Sequence, residues 1–444
     1  MESKREKIKY KIQQTKEKRK DQVPTVIQCK LQNLSKRKIE LLEKLFLETK
    51  WLYNWLVADV SRVDLSTKVI KEVEIKVKEN FEKRELKIIG SQIKQGLQER
   101  VKQALKSLKN LKTNGNKVGK LKFKSKVNSI PLKQYGVTYN VDKERNRVRI
   151  QNLGSFRALG LRQITDDMKI TNGFLVRKAD GYYLHITCYK PKKKTAEINK
   201  PIAIDFGIEN KVNFSNRLKI DFEIPETKRL KALKRKLARK IKGSKNYEKI
   251  KMLIQKEYLY IQRLRKEVQN KIIALAKRHS NVIFQDDNIK SWHESWFGRQ
   301  VQHSSIGGIT ERIKNILSTP VLVVDRYQTT SKICFNCQTR VEVFLSDRVF
   351  RCSVCGYVED RDINSARNML KLIFKDGVQK EWLIPSEEDL SLIKRLFGNV
   401  RKYVTITIPS GIGGKLCPTD GPAGSDACGE VLKDLVEAGS SSLQ

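Results

Sequence analysis

The sequence predicts a multidomain α+β protein: a small β-barrel interrupted by a helical insertion, then an α/β domain interrupted by a zinc-binding module. Three observations support this class. Strand-like alternation of apolar and polar residues recurs between residues 121 and 190. Strand and helix patterns alternate after Pro201. Two Cys-x2-Cys pairs then follow within one short segment, 334–355.

The net charge of the chain is +42, from 91 Lys and Arg against 49 Asp and Glu in 444 residues. This excess favours a polyanion-binding protein over a small-molecule enzyme. A hydrophobic content of 39% excludes wholesale disorder. No run of 18 apolar residues occurs, and the N-terminus lacks the apolar stretch of a secretory signal. We therefore expect a soluble, cytoplasmic chain with no membrane partner and with reduced cysteines.

In the first half, residues 1–24 are mostly charged and are interpreted as a mobile basic arm. A strand over Thr25–Leu31 and a helix over Lys38–Val57 are expected next. Within Asp64–Leu111 an apolar helical stripe lies beside basic positions, so that face contacts either solvent or nucleic acid. After a Gly/Asn-rich break, the predicted strands are Leu121–Lys126, Tyr135–Val141, Arg147–Leu153 and Gly181–Lys190.

The polar segment Pro191–Pro201 has Pro at both ends and predicts a domain boundary. A basic helical hairpin is expected beyond it, with its turn at Gly243-Ser244. Residues 410–444 hold two Lys against five Asp and Glu and predict a mobile tail. The predicted strands of this half are Ile202–Gly207, Val212–Asn216, which can pair back on it, Asn281–Asn288 and Val321–Tyr327.

The paired cysteines predict a structural zinc site. Cys334 and Cys337 are separated by fourteen residues from Cys352 and Cys355. Each pair lets two thiolates point at one centre, and the two pairs complete a tetrahedron without an open position. Gly356 supplies the backbone freedom that such a turn needs. The remaining cysteines lack this pairing and are expected to be core or tail thiols: Cys29, Cys188, Cys417 and Cys428.

Acidic residues follow the predicted strands. Asp205 closes the first strand after the boundary, the Asp286-Asp287 pair ends another, and Asp362 follows the second cysteine pair. Carboxylates at strand ends can hold two divalent cations about 3.5–4 Å apart for phosphodiester hydrolysis. A lone acid at a strand end is more often a helix cap or a surface charge than a metal ligand. A kinase is excluded, because Asp205-Phe-Gly has no accompanying Gly-rich loop or His-Arg-Asp sequence.

The order of four motifs carries a family resemblance: IAIDFG, VIFQDDN, TTSKICFNC and CSVCGYVEDRDINSARN. Three further segments share it: QYGVTY, GYYLHIT and WFGRQVQHS. Over residues 25–370 the chain resembles the TnpB proteins of insertion sequences and the miniature type V CRISPR effectors. The resemblance implies an RNA-guided DNA endonuclease, in which an RNase H-like (RuvC) α/β domain is interrupted by a zinc ribbon.

The same resemblance implies the domain organisation. A wedge β-barrel is expected at 25–40 and 112–192, with a helical recognition insertion at 41–111. The RuvC-like nuclease domain is expected at 200–330 and 359–375, around a zinc ribbon at 331–358. Residues 376–444 are expected to form a partly disordered C-terminal extension.

One position departs from the family pattern. Most members have Glu-Asp-Leu at the second acidic motif, whereas this chain has Gln285 at the Glu position. Side chains two apart on a strand share a face, so Asp287 is favoured over Asp286 as the substitute acid. This inference holds only if the strand continues past Gln285.

The resulting functional hypothesis is a guide-RNA-directed endonuclease, with Asp205, Asp287 and Asp362 binding two Mg²⁺ ions. Its expected partners are a guide RNA and a double-stranded DNA target with a short flanking motif, in the prokaryotic cytoplasm and at the nucleoid when target is bound. The alternatives are a nuclease-deficient, RNA-guided repressor disabled at Gln285, and a zinc-ribbon protein without guide RNA. The oligomeric state stays open.

Two surface features also have alternative interpretations. The aromatic and histidine side chains after the second motif either pack under the sheet, which is the commoner outcome, or stack on a nucleic-acid base; they are Trp292, His293, Trp296, Phe297 and His303. The alternating lysines of one predicted strand face either solvent or a phosphate backbone; they are Lys122, Lys124 and Lys126.

Overall fold

A computed structural model describes residues 4–77, 79–191, 200–316, 320–344, 346–398 and 403–407. The chain divides into two compact units, Met1–Lys192 and Lys193–Gln444. The division falls at the N-terminal end of the predicted linker. The predicted tail 410–444 lies outside the described residues. Among the helices that are described, none combines the length and apolar character that a membrane crossing requires.

The first unit is mixed α and β. In chain order its described elements are α1 (Lys4–Lys20), β1 (Gln22–Gln32), α2 (Lys36–Ala58), β2 (Glu72–Val77), β3 (Asn80–Glu85), α3 (Ser91–Thr113), β4 (Ser129–Leu132), β5 (Tyr139–Asp142), β6 (Arg147–Ile150), β7 (Gly154–Leu159), β8 (Lys169–Lys178) and β9 (Gly181–Pro191).

The predicted basic arm, residues 1–24, forms a helix over most of its length, α1, and its mobility stays a prediction. The segment contains Lys, Glu, Gln and Arg, which are strong helix formers, and no Pro or Gly. Its C-terminal end contacts β9, because the Arg19 guanidinium lies 4.6 Å from the centroid of the Tyr189 ring. The basic side chains of this segment are therefore carried by helix α1.

The seven strands that form the main sheet of this unit are antiparallel neighbours in the order β4-β8-β9-β1-β7-β6-β5. The sequence predicts a barrel. In the described part of the chain the ladders form an open sheet, since no ladder joins the edge strands β4 and β5. Each edge strand is only four residues long, which limits the pairing it can form.

The helical insertion contains an unpredicted β-hairpin between α2 and α3. Strands β2 and β3 pair from Glu72↔Glu85 to Val77↔Asn80. The buried Glu48 carboxylate of α2 accepts backbone N–H groups of Lys87, Ile88 and Ile89 at 2.8–3.2 Å, which fixes the chain as it enters α3. A helix-period pattern alone does not show such a hairpin, because it is short and mostly polar.

The predicted strand Leu121–Lys126 is irregular in the structure. Its backbone pairs with a side chain in place of a neighbouring strand. Asn54 accepts from the Lys124 N–H at 2.8 Å and donates to the Lys124 carbonyl at 3.0 Å. The Lys124 ammonium lies 4.1 Å from the centroid of the Tyr53 ring. The alternation therefore predicted a strand here that the structure does not contain.

The second unit begins with the predicted strand that ends in an acid. In chain order its described elements are β10 (Ile202–Phe206), β11 (Val212–Phe214), β12 (Lys219–Phe222), α4 (Lys228–Ala238), α5 (Lys245–Ala276), β13 (Val282–Gln285), α6 (Ile289–Glu294), α7 (Gly298–Ser304), α8 (Ile306–Ile316), β14 (Val321–Val324), β15 (Val349–Arg351), β16 (Val358–Asp360), α9 (Arg361–Phe374), α10 (Glu387–Phe397) and β17 (Val404–Thr407).

The sheet of the second unit has the order β14-β13-β10-β11-β12-β17. Strands β10, β13 and β14 are parallel, whereas β11, β12 and β17 pair in antiparallel fashion. The predicted pairing of the first two strands is confirmed, with Ile204 opposite Phe214. Since the carboxyl ends of parallel strands meet at one edge, the residues after β10, β13 and β14 are brought together.

The described part of the C-terminal extension belongs to this fold. Strand β17 pairs with β12, with Ile406 opposite Ile220. Helix α10 begins at a capping box formed by Ser386 and Asp389 and buries Leu392, Ile393 and Phe397 in the core. Residues 387–398 and 403–407 of the predicted extension are therefore part of this fold, and partial disorder elsewhere in 376–444 stays a prediction.

Candidate active site and zinc site

Asp205 is the fourth residue of β10, at the carboxyl edge of the parallel strands. Its side chain is half-buried. The Ser365 hydroxyl donates to Asp205 Oδ1 at 3.3 Å. Burial, followed by the charges of Asp362 and Asp287, raises the pKa of Asp205 well above its ordinary value. The carboxylate is thus surrounded by like charges within a partly dry site.

Asp362 lies in the first turn of α9, one helical turn before Ser365. Asp360 caps this helix by accepting from the Asp362 and Ile363 N–H groups at 3.0 and 3.2 Å. The Asp362 carboxylate accepts a hydrogen bond from Asn210 at 3.1 Å and lies 3.4 Å from the Arg361 guanidinium. The cap therefore fixes the helix start that carries this acid.

The second motif separates its two acids. Strand β13 ends at Gln285, and the Asp287 N–H donates to the Gln285 carbonyl at 3.0 Å, so the chain turns at once. The premise of an unbroken strand is therefore wrong. Asp287 nevertheless lies near Asp205, whose pKa its charge raises. Burial and the charge of Asp286 raise the pKa of Asp287 to about 6.

Asp286 points to a different environment. Its carboxylate forms ion pairs with Arg326 at 2.7 Å and with Lys314 at 3.0 Å, and its side chain is 40% exposed. The hydrogen bonds from these cations lower the pKa of Asp286. A carboxylate already neutralised by two cations at the surface is a poor candidate for binding a metal.

The three predicted acids, Asp205, Asp287 and Asp362, come from three elements of one sheet edge. In the described residues, the four cysteines are the one group of at least three acidic, cysteine or histidine ligands whose donor atoms all lie within 4.8 Å of one another. At least one pair of the three carboxylates is therefore farther apart than 4.8 Å.

Gln285 has contacts that sequence reasoning missed. Its side-chain N–H groups donate to the carbonyls of Asp325, Arg326 and Gln328 at 2.9, 3.3 and 2.8 Å. Its carbonyl oxygen accepts from the Thr330 hydroxyl at 3.3 Å. The loop after β14 is thus bound to the end of β13. Only the departure from the family's Glu could have indicated this position in the sequence.

The cysteine cluster has zinc-site geometry. Cys334 Sγ lies 3.6 Å from Cys355 Sγ, and Cys337 Sγ lies 3.6 Å from Cys352 Sγ. Zinc–sulfur bonds of about 2.3 Å in a tetrahedron place sulfurs roughly 3.8 Å apart. The donor set therefore fits a structural zinc ion.

The two cysteine turns are built alike. The residue after each pair, Gln338 or Gly356, has a positive φ, 59° or 68°. Its N–H donates to the carbonyl of the first cysteine of that pair, at 3.0 or 3.1 Å. The expected role of Gly356 is confirmed, and Gln338 adopts the same conformation without being Gly.

The thiols of the cluster differ in environment. The Thr339 hydroxyl and backbone N–H hold the pKa of Cys337 at about 6. The backbone N–H of Tyr357 lowers the pKa of Cys355. Burial raises the pKa of Cys334 to about 12. A bound cation is what would favour the thiolate form at a buried cysteine.

The aromatic segment after the second motif does not pack under the sheet as a whole. Trp296 is fully exposed and Phe297 is 52% exposed. His293 is also exposed. By contrast, His303 is buried, and its Nδ1 lies 2.7 Å from Glu223 Oε1. Packing is therefore the correct alternative for His303 and the wrong one for Trp296 and Phe297.

A cavity of about 770 Å³ adjoins the second motif. Asp287 lines it together with cationic side chains, among them Arg265, Lys314 and Arg326. With Lys290 the cavity has four Lys and Arg side chains against three acids, Asp286, Asp287 and Glu311, which leaves room and a small positive excess for a phosphate group.

Two family models match parts of the chain. A model described as Cas12f1-like, TNB domain, matches residues 315–369, which include the four cysteines. A model described as Probable transposase matches residues 185–289, which include Asp205 and Asp287. The predicted resemblance to the TnpB family is confirmed.

Curated relatives agree with these matches. The chain is 25% identical over 272 residues to "Putative RNA-guided DNA endonuclease InsQ" of Escherichia coli K12, covering 53% of this chain and 64% of that protein. It is 27% identical over 205 residues to "Putative RNA-guided DNA endonuclease" of Streptomyces pristinaespiralis, covering 44% of this chain and 50% of that protein. The matches thus span less than two thirds of each relative.

A solved structure is also similar, "Cryo-EM structure of the Cas12f1-sgRNA-target DNA complex". The match has a TM-score of 0.44 and 16% identity, and it covers 76% of this chain and 83% of that chain.

Proposed function

We propose that the chain is an RNA-guided DNA endonuclease in which Asp205, Asp287 and Asp362 bind two Mg²⁺ ions. The proposal depends on the position of these three acids at one edge of the sheet. There the charges of Asp362 and Asp287 raise the pKa of Asp205. Carboxylate oxygens are the ligands that Mg²⁺ prefers. Divalent cations would also relieve the mutual repulsion of partly buried carboxylates.

The chain's own residues prepare this site. Magnesium, when bound, supplies an activated water and stabilises the leaving 3′-oxygen. Ser365 and Asn210 orient the carboxylates of Asp205 and Asp362 by hydrogen bonds. Preorganised carboxylates reduce the reorganisation that metal binding and hydrolysis require. The cation-lined cavity beside Asp287 is suited to hold the phosphates that flank the cut.

The sheet supports a RuvC-like assignment of 200–330 and 359–375. Strand β10 joins an antiparallel set, β10-β11-β12, to the parallel strands β13 and β14. This arrangement is that of RNase H-like domains. Because a fold does not determine an activity, the assignment depends on the acids and on the relatives, whose printed names describe RNA-guided DNA endonucleases. We assign the zinc ribbon to 331–358.

An arginine-rich surface of the first unit supports a polyanionic partner. Arg147 and Arg149 alternate with buried residues on β6, so they share one exposed face. Arg147 is directly opposite Arg157 of β7. Like charges in that position destabilise a sheet, so a function is the better explanation for them. A polar surface cavity of about 690 Å³, lined by Arg145, Arg147 and Arg149, lies on this face.

We propose that this arginine face binds the phosphate backbone of a guide RNA. The wedge, 25–40 and 112–192, and the recognition insertion, 41–111, would then hold guide and target. Pairing with the guide would select the sequence, and the protein would read the heteroduplex shape and a short flanking DNA motif. Such a complex acts in the prokaryotic cytoplasm and at the nucleoid.

The test begins with RNA that copurifies with the full chain. We expect one discrete, structured species that ends in a variable segment. Loaded with a matching guide, the protein should cut target DNA when Mg²⁺ is present. Asp205→Ala should bind target without cutting, whereas Asp376→Ala, an exposed acid of the same unit, should cut normally. Heterogeneous cellular RNA, or cutting by Asp205→Ala, would contradict the proposal.

A nuclease-deficient repressor remains the second candidate, because Gln285 replaces the family's acid. That candidate requires guided binding without cleavage by the unmodified chain, and cleavage on restoring the acid with Gln285→Glu. The proposed endonuclease requires guided cleavage by the unmodified chain, with no gain of cleavage in Gln285→Glu.

A further inference from the structure

Both the amide nitrogen and the carbonyl oxygen of the Gln285 side chain form hydrogen bonds. Its amide nitrogen lies 2.8–3.3 Å from three carbonyl oxygens of the loop 325–328. All three partners are acceptors, so the position requires a donor. A glutamate carboxylate would face three carbonyl oxygens without a proton to share, so at this partly exposed position it would lose all three hydrogen bonds to the loop.

The other end of the amide begins a chain of hydroxyl contacts. Thr330 Oγ1 lies 3.3 Å from Gln285 Oε1 and 2.9 Å from Ser365 Oγ. Ser365 Oγ lies 3.3 Å from Asp205 Oδ1. Thr330 and Ser365 are both buried, and Asn368 holds the Thr330 carbonyl at 2.8 Å. The two hydroxyl hydrogens can fill only two of these three contacts at once. Gln285 is therefore connected to Asp205 through the fixed positions of the two hydroxyl groups.

We infer that Gln285 is a positioning residue of the acidic site and that it is not an unfilled metal-ligand position. It binds the loop 325–330 and, through Thr330 and Ser365, orients Asp205. Asp287 takes over as the second acid. The inference rests on the proposed function, in which Asp205 binds a divalent cation. It explains why this chain can have Gln at a position where the family has Glu.

Two substitutions separate the roles. Gln285→Met removes the donors and adds no charge, whereas Gln285→Glu removes the donors and adds a carboxylate. Both should weaken binding of Mn²⁺ to the RNA-loaded full chain by about tenfold, as expected for loss of one or two net hydrogen bonds. Free Mn²⁺ is measured by electron paramagnetic resonance. Gln255→Glu, which adds the same charge at an exposed position of α5 outside the cavity lining, is the control.

A second readout follows the loop itself. The Tyr327 and Gln328 N–H groups bond to Asp325 at 2.8 and 3.1 Å, and their hydrogen exchange should become faster in both Gln285 variants. Thr330→Val should weaken Mn²⁺ binding as Gln285→Met does, and Thr330→Ser should restore it. Unchanged zinc content shows that each variant has folded.

The outcomes are distinct. Tighter Mn²⁺ binding by Gln285→Glu, or wild-type affinity in both Gln285 variants, overturns the inference. If wild-type Mn²⁺ binding does not depend on Asp205, tested with Asp205→Ala, the proposed metal site fails instead. In that case the exchange rates of Tyr327 and Gln328 still decide whether Gln285 holds the loop.

Discussion

The two acids of the second motif offer a matched experiment. Asp287→Asn and Asp286→Asn each remove one negative charge from adjacent residues and change no volume. Asp287 is half-buried and its charge acts on Asp205, whereas Asp286 is paired with Lys314 and Arg326 at the surface. If the proposed site is correct, the two variants should behave very differently.

The expected magnitudes follow from these surroundings. Loss of an outer-shell partner of a metal ligand typically costs about 10–100-fold in affinity or activity. Because Asp287 is proposed as a direct ligand, Asp287→Asn should lower the cleavage rate by at least about 100-fold. Exposed ion pairs contribute little, so Asp286→Asn should change the rate by less than about threefold.

The assay is single-turnover cleavage of guide-matched DNA at saturating Mg²⁺, with guided DNA binding measured in parallel. Binding should be equal in the two variants and in the unmodified chain, because the acids do not form the guide–target duplex. A larger loss of cleavage in Asp286→Asn than in Asp287→Asn would refute the assignment. Equal large losses with intact binding would mean that both acids of the motif are needed for cleavage.

Three further outcomes are expected. Without divalent cations, Asp287→Asn should stabilise the fold at pH 7 and not at pH 4. In the unmodified chain the folded pKa of Asp287, about 6, lies above the ordinary 3.8, so the free energy of unfolding falls as pH rises through that window. Denaturant titrations should show a gain of up to about 3 kcal/mol at pH 7 in the variant. Cys352→Ser should reduce zinc from about one equivalent per chain and lower the melting temperature; unchanged values would contradict a structural zinc site. Arg147→Ala should weaken RNA binding and reduce its salt slope by about 0.7–0.9, and an unchanged slope would argue against a phosphate contact.

The sequence predicted helices and turns correctly where the hydrophobic periodicity and the capping or turn residues indicated the same boundaries. The helix over Lys38–Val57 is confirmed as α2, whose Ser35 cap accepts from the Lys38 N–H at 3.4 Å. The hairpin turn is confirmed, with Gly243 at a φ of 88° and Ser244 capping α5. Strand pairing was less predictable, because a ladder depends on which distant segment arrives beside it. The irregular segment 121–126 and the late strand β17 are examples.

The candidate site shows the same limit. The zinc site of the four cysteines could be predicted because their spacing alone indicates a zinc-binding cluster. Asp287 was favoured for a reason that the structure does not support, since β13 ends two residues earlier and a turn brings its carboxylate near Asp205. The contacts of Gln285 could not be read at all, because they join it to a loop that lies forty residues onward in the sequence.

The most specific motif of the sequence is CSVCGYVEDRDINSARN. It contains many functional residues because helix α9 contributes to both the zinc ribbon and the acidic site. On one side of α9, Asn364 accepts from the Phe335 N–H at 3.1 Å and donates to the Ile333 carbonyl at 2.8 Å, which holds the first cysteine turn. On another side lie Asp362 and Ser365, next to Asp205.

The ends of the same helix are fixed from outside it. The buried Glu359 carboxylate, two residues before α9 begins, binds both Arg217 of the sheet and Arg367 of the helix. A buried charge of this kind is stable only while its partners stay in place. The position of α9 relative to β10 therefore depends on both the sheet and the ribbon. This position in turn determines where Asp362 lies relative to Asp205. Loss of zinc should consequently weaken the acidic site even though the four clustered cysteines are not part of it.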